Sequence, residues 1–320
     1  MKSHQIDAHG ISIHVDECGE GPAVLFCHGF PLIGSTWRAQ MNAVANAGYR
    51  AIAPDLRGFG RTDAPDDSSS YTPFHHVGDM LGVLDHLGID TCVVVGQDAG
   101  GDVAWNAALM RPDRFHAVFG IYPNVAGMSV AFLRAGEPLL FDQLRESGNT
   151  DFYMFRQTRP EADRIWRDAA TPIESALYWT SGQPDPDQQW NPFDPAKDML
   201  RPAPEPIDWV DPEILNDVIK SYERTGFRGG LNYYRSWEPY FRLAAPVFAG
   251  TRVEQPAFLV SGLRDGLNAG RRPTEDATRE FLPDLRELLV LDDVGHWPQL
   301  EAPSVVNDAL LRFLNDVDRD

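Results

Sequence analysis

The sequence predicts an α/β protein: a mainly parallel sheet with helices on both faces, interrupted by an inserted helical cap. Three observations predict it. Apolar strand-like runs alternate with stretches of helical spacing from residue 4 to residue 121. The alternation stops at about Gly127 and resumes at Pro256. Between them the chain is rich in Pro, Trp, Tyr and Phe and shows no strand pattern. Large aromatics such as Trp166, Trp179, Trp190, Trp209 and Trp237 argue against a low-complexity linker there. The division predicted is a first core segment over 1–126, a cap over 127–250 and a second core segment over 251–320.

The elements follow in order. Residues 4–18 read as two strands turned at Gly10, and residues 23–27 as a third strand, ending in His28-Gly29-Phe30-Pro31. Glycine and proline there stop the strand and leave backbone N–H groups near the sheet's top edge. Residues 37–46 are helix-like. Residues 49–54 return as a strand into the glycine-broken loop 55–63, expected as a surface turn held by an internal Asp–Arg contact. Val77, Met80, Leu81, Leu84 and Leu87 give helical spacing over 72–87. Residues 91–95 form a strand, 102–110 a helix, and 115–121 a strand ended at Pro123-Asn124. After the cap come a strand at 256–260, a short helix at 274–281, a strand at 285–291 and a last helix at 304–317.

The totals exclude several classes. No run in the 320 residues approaches the roughly 18 apolar residues of a membrane span, and the start lacks a signal-peptide core. Three cysteines, Cys18, Cys27 and Cys92, sit singly and read as buried free thiols without metal-ligand spacing, which favours a reducing cytoplasm. A net charge of −19 speaks against a nucleic-acid partner. Nothing in the chain specifies an oligomeric state.

The chemistry concentrates at 93–101. Three valines run into Gly96-Gln97-Asp98-Ala99-Gly100-Gly101, the pattern of a strand, a strained turn and a helix that presents one side chain above the sheet. The apex is Asp98, and no Gly-x-Ser-x-Gly occurs in the chain. A carboxylate in that seat suits attack on an sp³ carbon through a covalent ester. The structural alternative is a tight turn with Asp98 capping a helix. His28, Asp98, Asp265 and His296 all fall just past a strand end, the rim where open α/β sheets bind ligands.

On these residues the chain resembles the soluble epoxide hydrolases of the α/β-hydrolase fold. The matching stretches are His28-Gly29-Phe30-Pro31, Asp55 to Gly60, Gly96 to Gly101, Gly226 to Arg235 and Gly295 to Gln299. The resemblance implies Asp98 as nucleophile, His296 as the base that activates water, and Asp265 as its orienting acid. It implies an oxyanion hole from the backbone N–H groups of Phe30 and Ala99, since Pro31 has no donor. Two cap tyrosines would protonate the epoxide oxygen: Tyr234 and Tyr153, with Tyr178 and Tyr233 as alternatives. His28, Pro31, Trp179 and Trp297 are candidates to line the pocket. The substrate class is an epoxide, with water; no metal or organic cofactor is implied. Two departures stand out. Ala99 replaces a tryptophan common in the family, which predicts a wider pocket beside Asp98. Leu32 stands where some relatives carry an acid.

The nearest rival is a haloalkane or haloacid dehalogenase, with the same nucleophile, ester and histidine but N–H donors for a leaving halide. A second rival is a non-catalytic ligand-binding homologue of the same fold. The proposed chemistry also predicts a pH profile that falls on the acid side as His296 protonates and on the far alkaline side as the tyrosines ionise.

Overall fold

The computed structural model describes residues 1–122, 129–268 and 271–318. Eight strands form one sheet: β1 (Lys2–Ala8), β2 (Ile11–Cys18), β3 (Ala23–Cys27), β4 (Arg50–Pro54), β5 (Cys92–Gln97), β6 (Phe115–Ile121), β7 (Ala257–Gly262) and β8 (Leu285–Leu291). Their spatial order is β1-β2-β4-β3-β5-β6-β7-β8. β2 runs antiparallel to both neighbours; every other pairing is parallel. β3 and β5 pair with Cys27 opposite Gly96, so the loops that leave them emerge side by side.

Alternation along the strands divides the core in two. On β5, Val93 and Val95 join the cluster under α1 (Arg38–Asn46) and the C-terminal helix, while Cys92 and Val94 face α2 (Pro73–His86) and α3 (Ala99–Met110). The first cluster is tied by Phe119 stacked on Phe258 at 4.9 Å. The second continues without a break into the cap.

Between β6 and β7, the described regular elements are all helical: α4 (Leu140–Glu146), α5 (Tyr153–Thr158), α6 (Ala162–Ile165), α7 (Ala170–Thr180), α8 (Pro212–Thr225) and α9 (Arg228–Phe248), besides short single turns. The predicted boundary at 126/127, with Asn124 and Gly127 beside it, lies outside the described residues; that at 250/251 falls between α9 and β7. Short α10 (Glu275–Arg279) and α11 (Pro298–Glu301) precede α12 (Pro303–Val317).

Two expectations are corrected. The 55–60 loop is buried, not a surface turn. The Asp–Arg contact is there, with Arg61 Nε 3.1 Å from Asp55 Oδ2, but Asp55 also takes the Gly34 N–H, and Arg57 forms a buried pair with Asp79. These bonds give the buried loop its polar partners. α3 starts at Ala99, before the expected 102, so the turn after β5 is a single residue. The cysteines are free; Cys27 and Cys92 are buried and Cys18 is half-buried.

Candidate active site

The turn after β5 sets the geometry. Asp98 is the N-cap of α3 with φ 53° and ψ −120°, a strained conformation for a residue with a Cβ. Gly100 permits it: a Cβ there would lie 2.1 Å from the carbonyl oxygen of Cys27. The helix thus packs directly on β3, and Asp98 stands above the sheet beside the 28–31 loop.

Asp98 Oδ1 accepts the N–H of Phe30 at 2.9 Å. Ala99 is the first residue of α3, where backbone N–H groups have no partner within the helix. The Phe30 ring is caged at 4.7 Å from Trp166 and 5.5 Å from Tyr234, against Phe59, Tyr222 and Phe227. The side chain therefore anchors the donor, a role that reading the sequence for the N–H alone missed.

His296 lies opposite. Its Nε2 is 3.3 Å from Asp98 Oδ2 and its Nδ1 2.6 Å from Asp265 Oδ2, with both partners largely buried. Asp265 Oδ1 also takes the Leu267 N–H at 2.9 Å. Burial alone would lower the imidazole, but the Asp265 and Asp98 carboxylates outweigh it and push it up to about 10. The two carboxylates thus favour the protonated form of His296.

The histidine loop is held by residues the sequence did not single out. Gln97 Nε2 donates to the His296 carbonyl at 2.9 Å, and the His296 N–H donates to Thr180 O. Glu301 accepts the N–H groups of Gly182, Gly295 and Trp297 at 2.7–3.0 Å, joining cap and loop on both sides of His296. The one signal available was an acid in the first turn of α11.

The cavity above Asp98 has two lobes. Asp98, Tyr153, Tyr234 and Leu267 border both. One extends past Phe30, Pro31, Trp190, Met199, His296 and Trp297, the other past Ala99, Tyr122, Tyr233 and Trp237. Tyr153 and Tyr234 meet edge to face at 6.1 Å. Burial first, then the Asp98 charge, raises both hydroxyls well above the usual tyrosine value, so they stay protonated through the alkaline range. The alkaline limb expected from them moves beyond ordinary working pH.

Other candidates are placed elsewhere. His28 is buried with Nε2 accepting the Leu56 N–H at 2.9 Å; it links two loops and does not line the cavity. Trp179 donates its indole N–H to Arg201 O and also lies outside it. Pro31 and Trp297 do line it, and Trp297 donates to Thr180 Oγ1 at 2.7 Å. Tyr178 points to Glu205, and Tyr233 donates to Asp102. The lobe beside Ala99 is lined by Tyr122, Tyr233 and Trp237. Among the described residues no group of three His, Cys, Asp or Glu side chains is arranged to hold a metal ion.

The α/β-hydrolase fold family model matches residues 22–303. An epoxide hydrolase from Caballeronia sordidicola is 52% identical over 99% of this chain and 95% of its own. The chain belongs to the epoxide hydrolase family. Within that family, epoxide hydrolase A of Mycobacterium tuberculosis is 34% identical over 98% of this chain and 97% of its own. The crystal structure of an epoxide hydrolase from Vigna radiata superposes with a TM-score of 0.85 at 30% identity, covering 98% of each chain. The helix content of this family member's described residues includes no segment long and apolar enough to cross a membrane.

Proposed function

We propose that the chain hydrolyses epoxides to vicinal diols through an ester on Asp98. The observation that carries it is one arrangement: His296 bridges Asp98 and Asp265, and Asp98, His296, Tyr153 and Tyr234 line the same cavity. Asp98 Oδ2 attacks a ring carbon while Oδ1 stays on the Phe30 N–H. The C–O bond breaks, and the ring oxygen takes a proton from Tyr153 or Tyr234. Ester formation removes the Asp98 charge, one of the two that hold the His296 proton. His296 can then give that proton up, through solvent, to the tyrosinate left by ring opening, and take a new one from water as that water attacks the ester carbonyl carbon. The proton left on the tetrahedral carbon's hydroxyl goes to the departing alkoxide. The developing oxyanion falls on Oδ1, facing the N–H groups of Phe30 and Ala99. Collapse frees the diol and restores Asp98. The acid limb of activity accordingly belongs to the ester form and not to the resting enzyme.

A halide-releasing reaction is the second reading, because Trp190 and Trp237 border the cavity with buried indole N–H groups that lack a partner. The Trp297 N–H, nearest to His296, is already spent on Thr180. The intact Asp98–His296–Asp265 set disfavours a purely binding role.

A single turnover with styrene oxide in ¹⁸O-water, enzyme in excess, tests the proposal. Unlabelled diol with label retained in the Asp98 peptide supports it. Label appearing directly in the first-turnover diol refutes the ester. Inertness toward epoxides with halide release from haloalkanes would move the assignment to the second reading.

A further inference from the structure

A second buried carboxyl lies one turn beyond Asp98 on the same helix. Asp102 is fully buried and takes no part in the steps above. Its Oδ1 accepts from Asn106 Nδ2 at 2.8 Å, its Oδ2 accepts from the Tyr233 hydroxyl at 3.1 Å, and the Ser129 hydroxyl adds a further bond. One turn on, Asn106 Oδ1 accepts from the Tyr240 hydroxyl at 2.5 Å. Asp102 and Asn106 share a face of α3, and Tyr233 and Tyr240 share a face of α9, by their spacing of four and seven. The two helices therefore meet in a row of directional bonds inside an apolar core, where an unmade bond is expensive and a made one fixes register.

That register matters because of what each helix carries. α3 begins at Asp98. α9 holds Tyr234, next to Tyr233 and about 100° further round the helix, facing Phe30 and Tyr153. Other ties of α9 go to loops and to cap helices: the Ser236 hydroxyl to Tyr71 O, Arg235 to Asp163 on α6, Glu238 and Arg242 to Arg145 and Asp142 on α4, and Gly229 against Gly58, where a Cβ at Gly229 would lie 2.0 Å from the Gly58 oxygen. The Asp102 row ties it to the helix that carries the carboxylate.

We propose that Asp102, acting through Tyr233, is a positioning residue that registers the cap helix α9 against α3 so that the Tyr234 hydroxyl meets the ring oxygen as Asp98 attacks. This rests on the reaction proposed above and assigns the contact to one half of it. Ring opening needs Asp98 and the tyrosines in register. Ester hydrolysis needs His296, Asp265 and the N–H groups of Phe30 and Ala99, and the side-chain bonds of the row given above reach none of them. Burial pushes the Asp102 carboxyl up to about 7, against its bonds to Ser129, Tyr233 and Asn106 and with help from the Asp98 charge. The titratable groups facing it are Asp98 on α3, Tyr233 and Tyr240 on α9, and Tyr122 at the end of β6. The three tyrosines are all raised and stay protonated, so Asp102 is the member of the row that changes charge near neutral pH.

The test is single-turnover kinetics with styrene oxide on Asp102→Leu, Asp102→Asn and Tyr233→Phe in the full chain. Ester formation is read from quenched samples by mass spectrometry of the Asp98 peptide, and hydrolysis from its decay. In Asp102→Leu and Tyr233→Phe, ester formation is expected to slow about tenfold to hundredfold, with hydrolysis within about twofold of the parent. Asp102→Asn keeps an acceptor for Tyr233. It should hold ester formation within about threefold. Equal slowing of both steps, or unchanged ester formation in Asp102→Leu and Tyr233→Phe, overturns the proposal. If Asp102→Leu does not fold, Tyr233→Phe and Asp102→Asn decide by the same criteria. Absence of any Asp98 ester in the parent chain refutes the reaction itself, and is seen before a variant is made.

Discussion

Replacing His296 with glutamine should split the reaction and trap its intermediate. The imidazole makes two polar side-chain contacts, 2.6 Å to Asp265 and 3.3 Å to Asp98. Its loss leaves the nucleophile seated, because Asp98 Oδ1 keeps the Phe30 N–H at 2.9 Å and the strained turn that presents it belongs to α3. Ring opening should therefore continue, within about tenfold of the parent rate, since only the imidazolium's electrostatic influence is gone. Hydrolysis loses its base. General-base catalysis is worth about 10²–10⁴, or about 2.7–5.4 kcal/mol at 1.36 kcal/mol per decade. The ester should then accumulate to one equivalent. Intact-protein mass spectrometry after mixing with styrene oxide would show the chain heavier by one epoxide, and peptide mapping would place the mass on Asp98. Steady turnover within twofold of the parent, or an adduct on another residue, would refute the role given to His296 or to Asp98. Loss of both adduct and turnover would refute the assignment of the ring-opening acid to Tyr153 and Tyr234, because it would make the imidazolium that acid.

Three further outcomes are expected. Tyr234→Phe and Tyr153→Phe should each slow ester formation about 10²-fold, the effect of removing one of two donors to a developing oxyanion, and the double variant should slow it more; stopped-flow single turnovers check this. Ala99→Trp should lower stability by about 1–3 kcal/mol in urea unfolding, because Tyr122, Tyr233 and Trp237 already fill the lobe where the indole would go. Stability should also depend on pH through His296, whose folded-state value is pushed up to about 10 from the 6.5 of a free imidazole. That contribution, on the order of a few kcal/mol, is complete below pH 6.5 and is lost as pH rises toward 10. The urea midpoint should fall from pH 7 to pH 10 in the parent and fall less in His296→Gln.

The sheet was legible because its strands are short apolar runs bounded by glycine and proline, and the rim was legible because Asp98, Asp265 and His296 each follow such a run. The start of α3 was not. Ala99-Gly100-Gly101 reads locally as a turn, and it is helical because Gly100 can lie against the Cys27 carbonyl, a contact between a helix and a strand far apart in sequence. His28 and Trp179 were misplaced for a related reason. Spacing puts a residue near a rim or in an aromatic cap, but not the direction of its ring, and both rings turn to backbone groups of loops. The supports of His296 were hidden by distance: Gln97 reaches its carbonyl across 199 residues, and Glu301 joins its loop to Gly182 across 119.

The tyrosines show where such reasoning meets geometry. Tyr233 and Tyr234 are adjacent and chemically identical, and both are buried. One donates to Asp102 and the other borders both lobes above Asp98. The difference is a single helical step of about 100°, so the angular setting of α9 decides which hydroxyl can meet substrate. That setting is tied to the same helix whose first turn strains Asp98 into position. In the proposed reaction, acid and nucleophile are therefore placed by two helices bonded to each other, and the base by a loop bonded to the cap through Glu301 and Thr180. A change confined to the α3–α9 contact should alter ring opening while leaving the His296 loop as it is. A change confined to Glu301 should do the reverse.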